Sequence, residues 1–429
     1  MSGLILGGLQ SSSGKTVVTS VLLAALAKQG KRVQPFKAGP DFIDPAYHSL
    51  FGERSSRNLD FWLMGGEEAV KREALGHTVD CPGILEGVMG IFDGWTPSSD
   101  SESTMHLARL LDWPIVLVAP CAKAGRSLGA ALRGFMEEAG RGRIAGVILN
   151  QVSGDSHRDY LKEAIHPLGI PVLGALPVNA MMKWPERHLG LQAAQEGDFC
   201  SADDLASVAE AHLDVEALWE LAAAGEPGAV ESSPSNSHES RLTLAVAQDE
   251  AFHFYYRSNL DQFDVVPFSP LRDRSLPEGV DALALGGGFP EVFAEPLSEN
   301  LELMKGVWEA IADGLPVVAE CGGLMYLAEK LTVGERDFPM SGVVPGTIEM
   351  TNRLQHFGYC TASSQAMGAV TGHEFHHSRW LSEETCANGW EVTKRRSGRS
   401  RREGFRVHQL QATYVHSMWT PELFLPDTV

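Results

Sequence analysis

The sequence is poor in three things. No apolar run reaches the ~18 residues that a membrane span needs, so no transmembrane helix is expected. Cysteine is sparse and scattered, at positions 81, 121, 200, 321, 360 and 386, with no pair at metal-ligand spacing. That excludes a disulfide framework or a zinc cluster and fits reduced thiols in a cytoplasmic protein. Basic residues are outnumbered, 35 Lys and Arg against 55 Asp and Glu, for a net charge of −20. A polyanion would be repelled outside a local basic patch, which argues against general nucleic-acid binding. An anionic small molecule held by one phosphate loop remains compatible. The first residues read as a strand with no basic segment before it, so no signal peptide is expected. No internal repeat is visible.

What is present is ordinary for a globular chain, 44% hydrophobic and 21% charged residues over 429 positions. That length predicts two or three domains. The first part alternates strand candidates (3–8, 32–36, 84–89, 115–119, 144–149, 171–176) with helices at about 16–29, 101–111, 127–139 and 156–167. Continuous apolar strands with helical crossovers predict a parallel sheet covered on both faces, with ligands at the carboxyl ends of the strands. Residues 202–224 read as one helix. The stretch from Gly225 to Ser240 is rich in Ser, Pro, Gly and Glu and reads as a linker. A second α/β pattern follows, with strands near 242–247, 263–267, 281–286, 315–319, 341–350, 368–376 and 405–416. The expected organisation is an ATP-binding domain over 1–225, a linker over 226–240 and a second α/β domain over 241–429.

The stretch Gly7 to Thr16, GGLQSSSGKT, lies between the first strand and the first helix. Such a loop aims several N–H groups and the positive end of a helix at one concave space. Lys15 adds a full charge for phosphates, and the Thr16 hydroxyl suits Mg²⁺. The matching glycine is Gly8, giving five rather than four residues before Gly14. After the second strand come Lys37, Asp41 and Asp44 on a stretch bounded by Gly and Pro. Acids near a γ-phosphate need a cation between, so these suggest metal or substrate positioning. Glu86 lies inside an apolar run, where a buried carboxylate requires a partner. Asp93 ends the same region, and acids at such a strand end can hold Mg²⁺. Asn150 suits either a base contact or a plain turn. The cluster Pro185-Glu186-Arg187-His188-Leu189-Gly190 suits cleft lining, capping or packing.

In the second half, Val317-Val318-Ala319-Glu320 runs into Cys321, two glycines and an apolar helix. This is a nucleophile elbow in cysteine form, expected to expose the sulfur at a helix N-terminus. Gly287 and Gly288 end another strand, and their N–H groups suit an oxyanion hole. His416, after a late strand, offers the base for a thiol acyl-transfer site. His373, His376 and His377 have metal-like spacing, but alternation along a strand separates their faces, and cleft lining is favoured. The run from Lys394 to Arg402 reads as a solvated hairpin tip rather than a binding patch.

These motifs support a resemblance. GLQSSSGKT, QPFKAGPDFIDPAYH, SRNLD, EGVMGIFDG, PERHLGL, GGGFPE, ECGGLMYL, GHEFHHS and YVHSMW together resemble the cobyrinate a,c-diamide synthases. These are dethiobiotin-synthetase-like ATPases fused to a triad-type glutamine amidotransferase domain, and the five-residue loop spacing is that of the ATPase group. The resemblance implies that Gly8, Ser13, Gly14, Lys15 and Thr16 hold ATP phosphates. It implies Mg²⁺ handling by Thr16, Glu86 and Asp93, and carboxylate activation at Lys37, Asp41 and Asp44. Cys321 matches the glutaminase nucleophile and His416 its base. Met418 stands where many amidotransferases have the third triad group, Glu, so what orients His416 is left open. The implied partners are small molecules, namely ATP, L-glutamine and a corrin, with no nucleic acid or membrane and with a homodimer among the expected assemblies. The rival readings are the same chemistry on hydrogenobyrinate or nickel-sirohydrochlorin, and a non-catalytic P-loop ATPase switch. The switch has no use for an elbow cysteine.

Overall fold

Leu4, Ile5 and Leu6 are fully buried in strand β1 (Gly3–Gly8) of the computed structural model. The structure describes residues 2–179, 184, 186–187, 190–191, 200–225, 241–364 and 368–425. Two units separate, residues 1–235 and 236–429. In the first, β1 is followed by α1 (Lys15–Lys28), β2 (Gln34–Ala38), α2 (Ile43–Phe51), β3 (Arg57–Leu59), α3 (Glu67–His77) and β4 (Gly83–Glu86). Then come α4 (Thr104–Leu111), β5 (Ile115–Pro120), α5 (Ser127–Ala139), β6 (Ile144–Val152), α6 (Asp155–Ile165) and β7 (Val172–Pro177). A short pair, β8 (Glu186–Arg187) and β9 (Gly190–Leu191), precedes α7 (Ala202–His212) and α8 (Val215–Ala223).

The seven long strands form one sheet in the order β3-β2-β4-β1-β5-β6-β7. Every pairing in it is parallel. The chain leaves β1 toward β2 on one side, and the β4-to-β5 connection crosses β1 to the other. The carboxyl ends of β1, β2 and β4 therefore meet at the switch point where such sheets bind ligands. The register sets Glu86 beside both Leu6 and Lys37.

Several sequence expectations change: Lys37, expected on the stretch after the second strand, lies within β2, and the expected strand over 405–416 is three short strands. The stretch after β2, read as a loop, turns into α2. The Asp41 carboxylate accepts the N–H groups of Ile43 (2.8 Å) and Asp44 (3.1 Å), and Pro45 falls within the first turn, where its missing N–H costs nothing. The 202–224 segment is two helices. Leu213 bridges to Gly174, and the Asp214 side chain caps α8 through Ala217 N–H.

The second unit opens with β10 (Thr243–Ala247), β11 (Phe252–Phe254), α9 (Arg257–Leu260), β12 (Asp264–Phe268), β13 (Ala282–Leu285) and β14 (Gly287–Gly288). It continues through α10 (Ala294–Glu299), α11 (Leu301–Ala312), β15 (Val317–Glu320) and α12 (Gly322–Leu327). Next are β16 (Ala328–Val333), β17 (Arg336–Pro339), β18 (Val344–Met350), β19 (His356–Ser364), β20 (Gly368–His376) and β21 (Ser378–Trp380). The last elements are α13 (Glu383–Cys386), β22 (Trp390–Lys394), β23 (Ser400–Glu403), β24 (Phe405–Val407), β25 (Leu410–Thr413) and β26 (His416–Ser417). The main sheet runs β12-β10-β13-β15-β25-β24, parallel except for β24. An antiparallel sheet, β23-β22-β19-β20-β26, shares the chain around His416 with it. The 226–240 stretch lies outside the described residues, as do positions 185, 188 and 189 of the PERHLGL cluster.

Candidate active site

In the first unit, Gly14 adopts the left-handed conformation (φ 81°) that ends the phosphate loop. A Cβ there would fall 2.2 Å from the Asn150 amide nitrogen, so only glycine fits. Asn150 is buried and donates its side-chain N–H to Ser13 O at 3.0 Å. It buttresses the loop from β6, a role that neither the base-contact nor the turn reading anticipates. Lys15 Nζ donates to Met89 O at 2.7 Å. Burial, helped by Lys37, pulls the Lys15 ammonium below its ordinary value.

Beneath the loop sits a buried charge cluster. Thr16 Oγ1 donates to Glu86 Oε1 at 3.0 Å. Lys37 Nζ lies 3.0 Å from the same oxygen, 2.6 Å from Asp44 and 3.8 Å from Asp41. Burial alone would discharge Lys37, but Asp44, Glu86 and Asp41 hold its proton and raise it above lysine's ordinary value. Burial also opposes charge on Glu86, yet Lys37 and His48 bring it well below the usual carboxylate range. Asp44 moves the other way: burial and its neighbours Asp41 and Glu86 outweigh Lys37. His48, fully buried on α2, meets Glu86 Oε2 at 2.6 Å and Ser56 at 3.3 Å through its other nitrogen. Asp93 is exposed, its carboxylate accepting Gly90 N–H at 2.8 Å, and its charge acts on Lys15. Among the described residues, no group of three or more His, Cys, Asp or Glu side chains is placed to hold a metal ion.

In the second unit, three neighbouring strand ends converge. Cys321 follows β15 in a strained turn (φ 50°, ψ −97°), its N–H donating to Thr413 O at 2.7 Å. The residue is 7% exposed, which corrects the expectation of an open sulfur. The glycine loop after β13 and the chain after β25 close in beside it. A Cβ on Gly287 would fall 2.5 Å from His416 Cε1, and one on Gly322 would fall 3.2 Å from Gly288 N. Tyr255 Oη fixes that loop by accepting Gly286 N–H at 2.8 Å.

His416 is buried with its Nδ1 3.7 Å from Glu320 Oε2, an ion-pair distance. Burial opposes the imidazolium, but bonding to Cys321 and Glu320 outweighs it and raises His416 to about 10. The other oxygen of Glu320 accepts from Ser417 N (3.1 Å), Ser417 Oγ (3.0 Å) and Trp419 Nε1 (2.9 Å). The group facing His416, left open by Met418, is therefore the residue immediately before the cysteine. It stood inside ECGGLMYL, an acid closing an apolar run.

The histidine motif divides by strand alternation. His373 faces His416, whereas His376 stacks on Tyr414 (centroids 3.8 Å, planes 3°) and lies 3.9 Å from Glu374. Glu374 is buried and clamped by Arg401 and by Lys394 at 2.8 Å, and together with His376 they hold it well below the ordinary range against burial. The basic run is thus not wholly a solvated tip. It forms the β22–β23 hairpin, and alternation turns Lys394 and Arg401 inward.

A parallel-sheet unit with a phosphate loop, joined in one chain to a unit with an elbow cysteine, a histidine and a carboxylate, defines a nucleotide-binding protein with a glutamine-amidotransferase unit. The family models agree: residues 4–191 match the CobQ/CobB/MinD/ParA nucleotide binding domain, and residues 243–424 match the CobB/CobQ-like glutamine amidotransferase domain. Relatives named cobyrinate a,c-diamide synthase match over nearly full length. The Synechococcus sp. protein is 39% identical, across 96% of this chain and 94% of its own. That of Listeria innocua is 37% identical (97% and 96%), and that of Synechocystis sp. 40% identical (98% and 91%). The chain belongs to the cobyrinate a,c-diamide synthase family.

Proposed function

We propose that this chain is a carbon–nitrogen ligase that amidates the a and c acetate side chains of cobyrinate, using ATP and the amide nitrogen of L-glutamine. The observation that carries the reading is the Cys321–His416–Glu320 array beside Gly287 and Gly288. Glutamine's side-chain amide carbon is attacked by the Cys321 sulfur, and the oxyanion faces the Gly287–Gly288 N–H groups. His416, charged and held by Glu320, gives its proton to the leaving ammonia. Water then cleaves the thioester, with His416 taking a proton, and glutamate leaves.

In the first unit, the loop Gly8, Ser13, Gly14, Lys15 and Thr16 would hold the ATP phosphates. Transfer of the γ-phosphoryl group to a corrin carboxylate oxygen gives an acyl phosphate and ADP. Lys37 sits among Asp41, Asp44 and Glu86, so a substrate carboxylate can compete for a cation already in place. Ammonia attacks the acyl carbon, phosphate leaves, and the amide forms. Thr16 and Glu86 offer hard oxygens 3.0 Å apart next to the loop, a donor set that fits Mg²⁺. Bound there, the ion would neutralise phosphate charge. Asp93 would act through the same region as an outer group. On this reading the enzyme works on small molecules in the cytoplasm, and sedimentation separates a monomer from a homodimer.

The test is mass spectrometry of the macrocycle. Each amidation replaces OH by NH₂, so two successive losses of about one dalton are expected with cobyrinate, ATP and glutamine. Cys321→Ala should abolish the reaction with glutamine and keep it with high ammonium. Loss of both would break the assigned division of labour. Running hydrogenobyrinate and nickel-sirohydrochlorin in parallel separates the rival macrocycles.

A further inference from the structure

We propose that His373, tethered by Tyr256, is a positioning residue for His416: a neutral ring laid against the base that fixes its plane. The inference rests on reading Cys321 and His416 as a glutaminase pair. Antiparallel pairing of β20 with β26 sets His373 directly opposite His416. Cross-strand partners share a sheet face, and the two imidazoles stack with centroids 5.1 Å apart and planes 19° from parallel. Both are buried, His373 at 5% exposure and His416 at 2%. His373 Nε2 lies 2.6 Å from the Tyr256 hydroxyl, itself buried on the segment before α9.

Two stacked, buried imidazoles cannot both carry charge at little cost. His416 faces Cys321 and Glu320, which favour its proton. The groups around His373 are Tyr256 from the segment before α9, Tyr359 across β19, Glu374 next along β20, and His416. Burial and His416 push His373 well below its ordinary value, and the Glu374 charge only partly opposes them. The assigned arrangement has the Tyr256 O–H donating to Nε2 of a neutral ring. That bond holds the proton acceptor of His373 occupied, and the ring gives the His416 imidazolium an aromatic face.

The experiment is the pH profile of glutamine hydrolysis by the full chain from about pH 4 to about pH 10, read together with the NMR titration of the His373 imidazole over the same range. Tyr256→Phe removes one oxygen and with it the hydroxyl bond to His373 Nε2. A single hydrogen bond of ordinary strength corresponds to about 0.5–1 pH unit, so the acid limb of kcat/KM should move up by about that much. His373→Phe keeps an aromatic face but cannot titrate, so its acid limb should not move up. His373→Ala should lower kcat by about tenfold while KM for glutamine changes less than about twofold. Superimposable profiles for wild type and Tyr256→Phe, or full kcat in His373→Ala, would overturn the proposal. So would an equal loss of ammonium-driven amidation in the Tyr256 and His373 variants, which would mark a general folding role. Cys321→Ala is run alongside: glutamine hydrolysis surviving in it would refute the underlying glutaminase reading instead.

Discussion

Glu320→Gln is the sharpest perturbation of the glutaminase site, because it changes charge while leaving shape and most hydrogen bonds in place. One oxygen of Glu320 already accepts from Ser417 N, Ser417 Oγ and Trp419 Nε1. The amide oxygen of Gln can keep all three. The NH₂ then faces His416, where it offers no negative charge to the imidazolium. At the observed 3.7 Å, a pair in a medium of effective dielectric about 20 interacts by about 4 kcal/mol, or about three decades in a proton equilibrium. His416, still held up by Cys321, should therefore fall well below about 10. The charged form of His416 would be less populated at neutral pH, and kcat/KM for glutamine hydrolysis should drop about 10²–10³-fold, with the basic limb moving down. Triad carboxylate-to-amide changes elsewhere cost up to about 10⁴-fold, so this figure is moderate. The assays are glutamate release across pH and the alkylation rate of Cys321, which reports thiolate. Thermal midpoints of wild type and variant should stay close. Hydrolysis within about threefold of wild type, with unchanged alkylation, would show that Glu320 does not hold His416 in its active form.

Two further outcomes follow from the buried charges. Lys37→Met leaves Asp41, Asp44 and Glu86 without the lysine they share. Amidation should be lost with glutamine and with ammonium, while glutamine hydrolysis persists. Stability of the first unit should fall by about 3–5 kcal/mol, the usual cost of stranding buried charge. Chemical denaturation and product analysis check this, and a variant that still amidates would dissociate Lys37 from the reaction. Glu403 is fully buried, and burial together with Glu374 raises it to about 8, although Thr413 and Tyr414 N–H bond to it. Its folded form binds a proton more tightly than its unfolded form, so it contributes stability below about pH 4.5 that is lost as pH rises toward about 8. Glu403→Gln should flatten the decline of the melting temperature over that range and raise it at pH 8. An unchanged slope would refute the assignment.

Much of this is legible in the sequence alone. The loop GGLQSSSGKT needs little context, since strand, glycines, lysine and helix are consecutive. The elbow at Cys321 is equally local. What escaped was built across the chain. Asn150 packs behind Gly14 from another strand, and nothing near position 150 signals it. His48 reaches Glu86 only because 43–51 is a helix, and Gly, Pro and Asp on its amino side made that stretch read as a loop. The inward turn of Lys394 and Arg401 follows from a register that composition does not encode. His373 and His416 meet because β20 pairs with β26, and Tyr256 reaches His373 from the segment before α9, contacts between segments far apart in sequence.

The same local signal occurs in both units. Glu86 closes the apolar run Gly83–Glu86, and Glu320 closes Val317–Glu320. Each is the last residue of a parallel strand, each is almost fully buried, and each lies at the edge where the chemistry gathers. A carboxylate in such a place costs too much to persist without donors. Glu86 collects Thr16, Lys37 and His48; Glu320 collects Ser417, Trp419 and the charge of His416. The same desolvation argument that demanded a partner for Glu86 from sequence applies unchanged to Glu320. Its partner had to come from a neighbouring strand end, and the strand beside β15 is the one that delivers His416. An acid ending a buried strand therefore points to the edge of the sheet where donors gather, and in this chain it does so twice, at the two proposed sites.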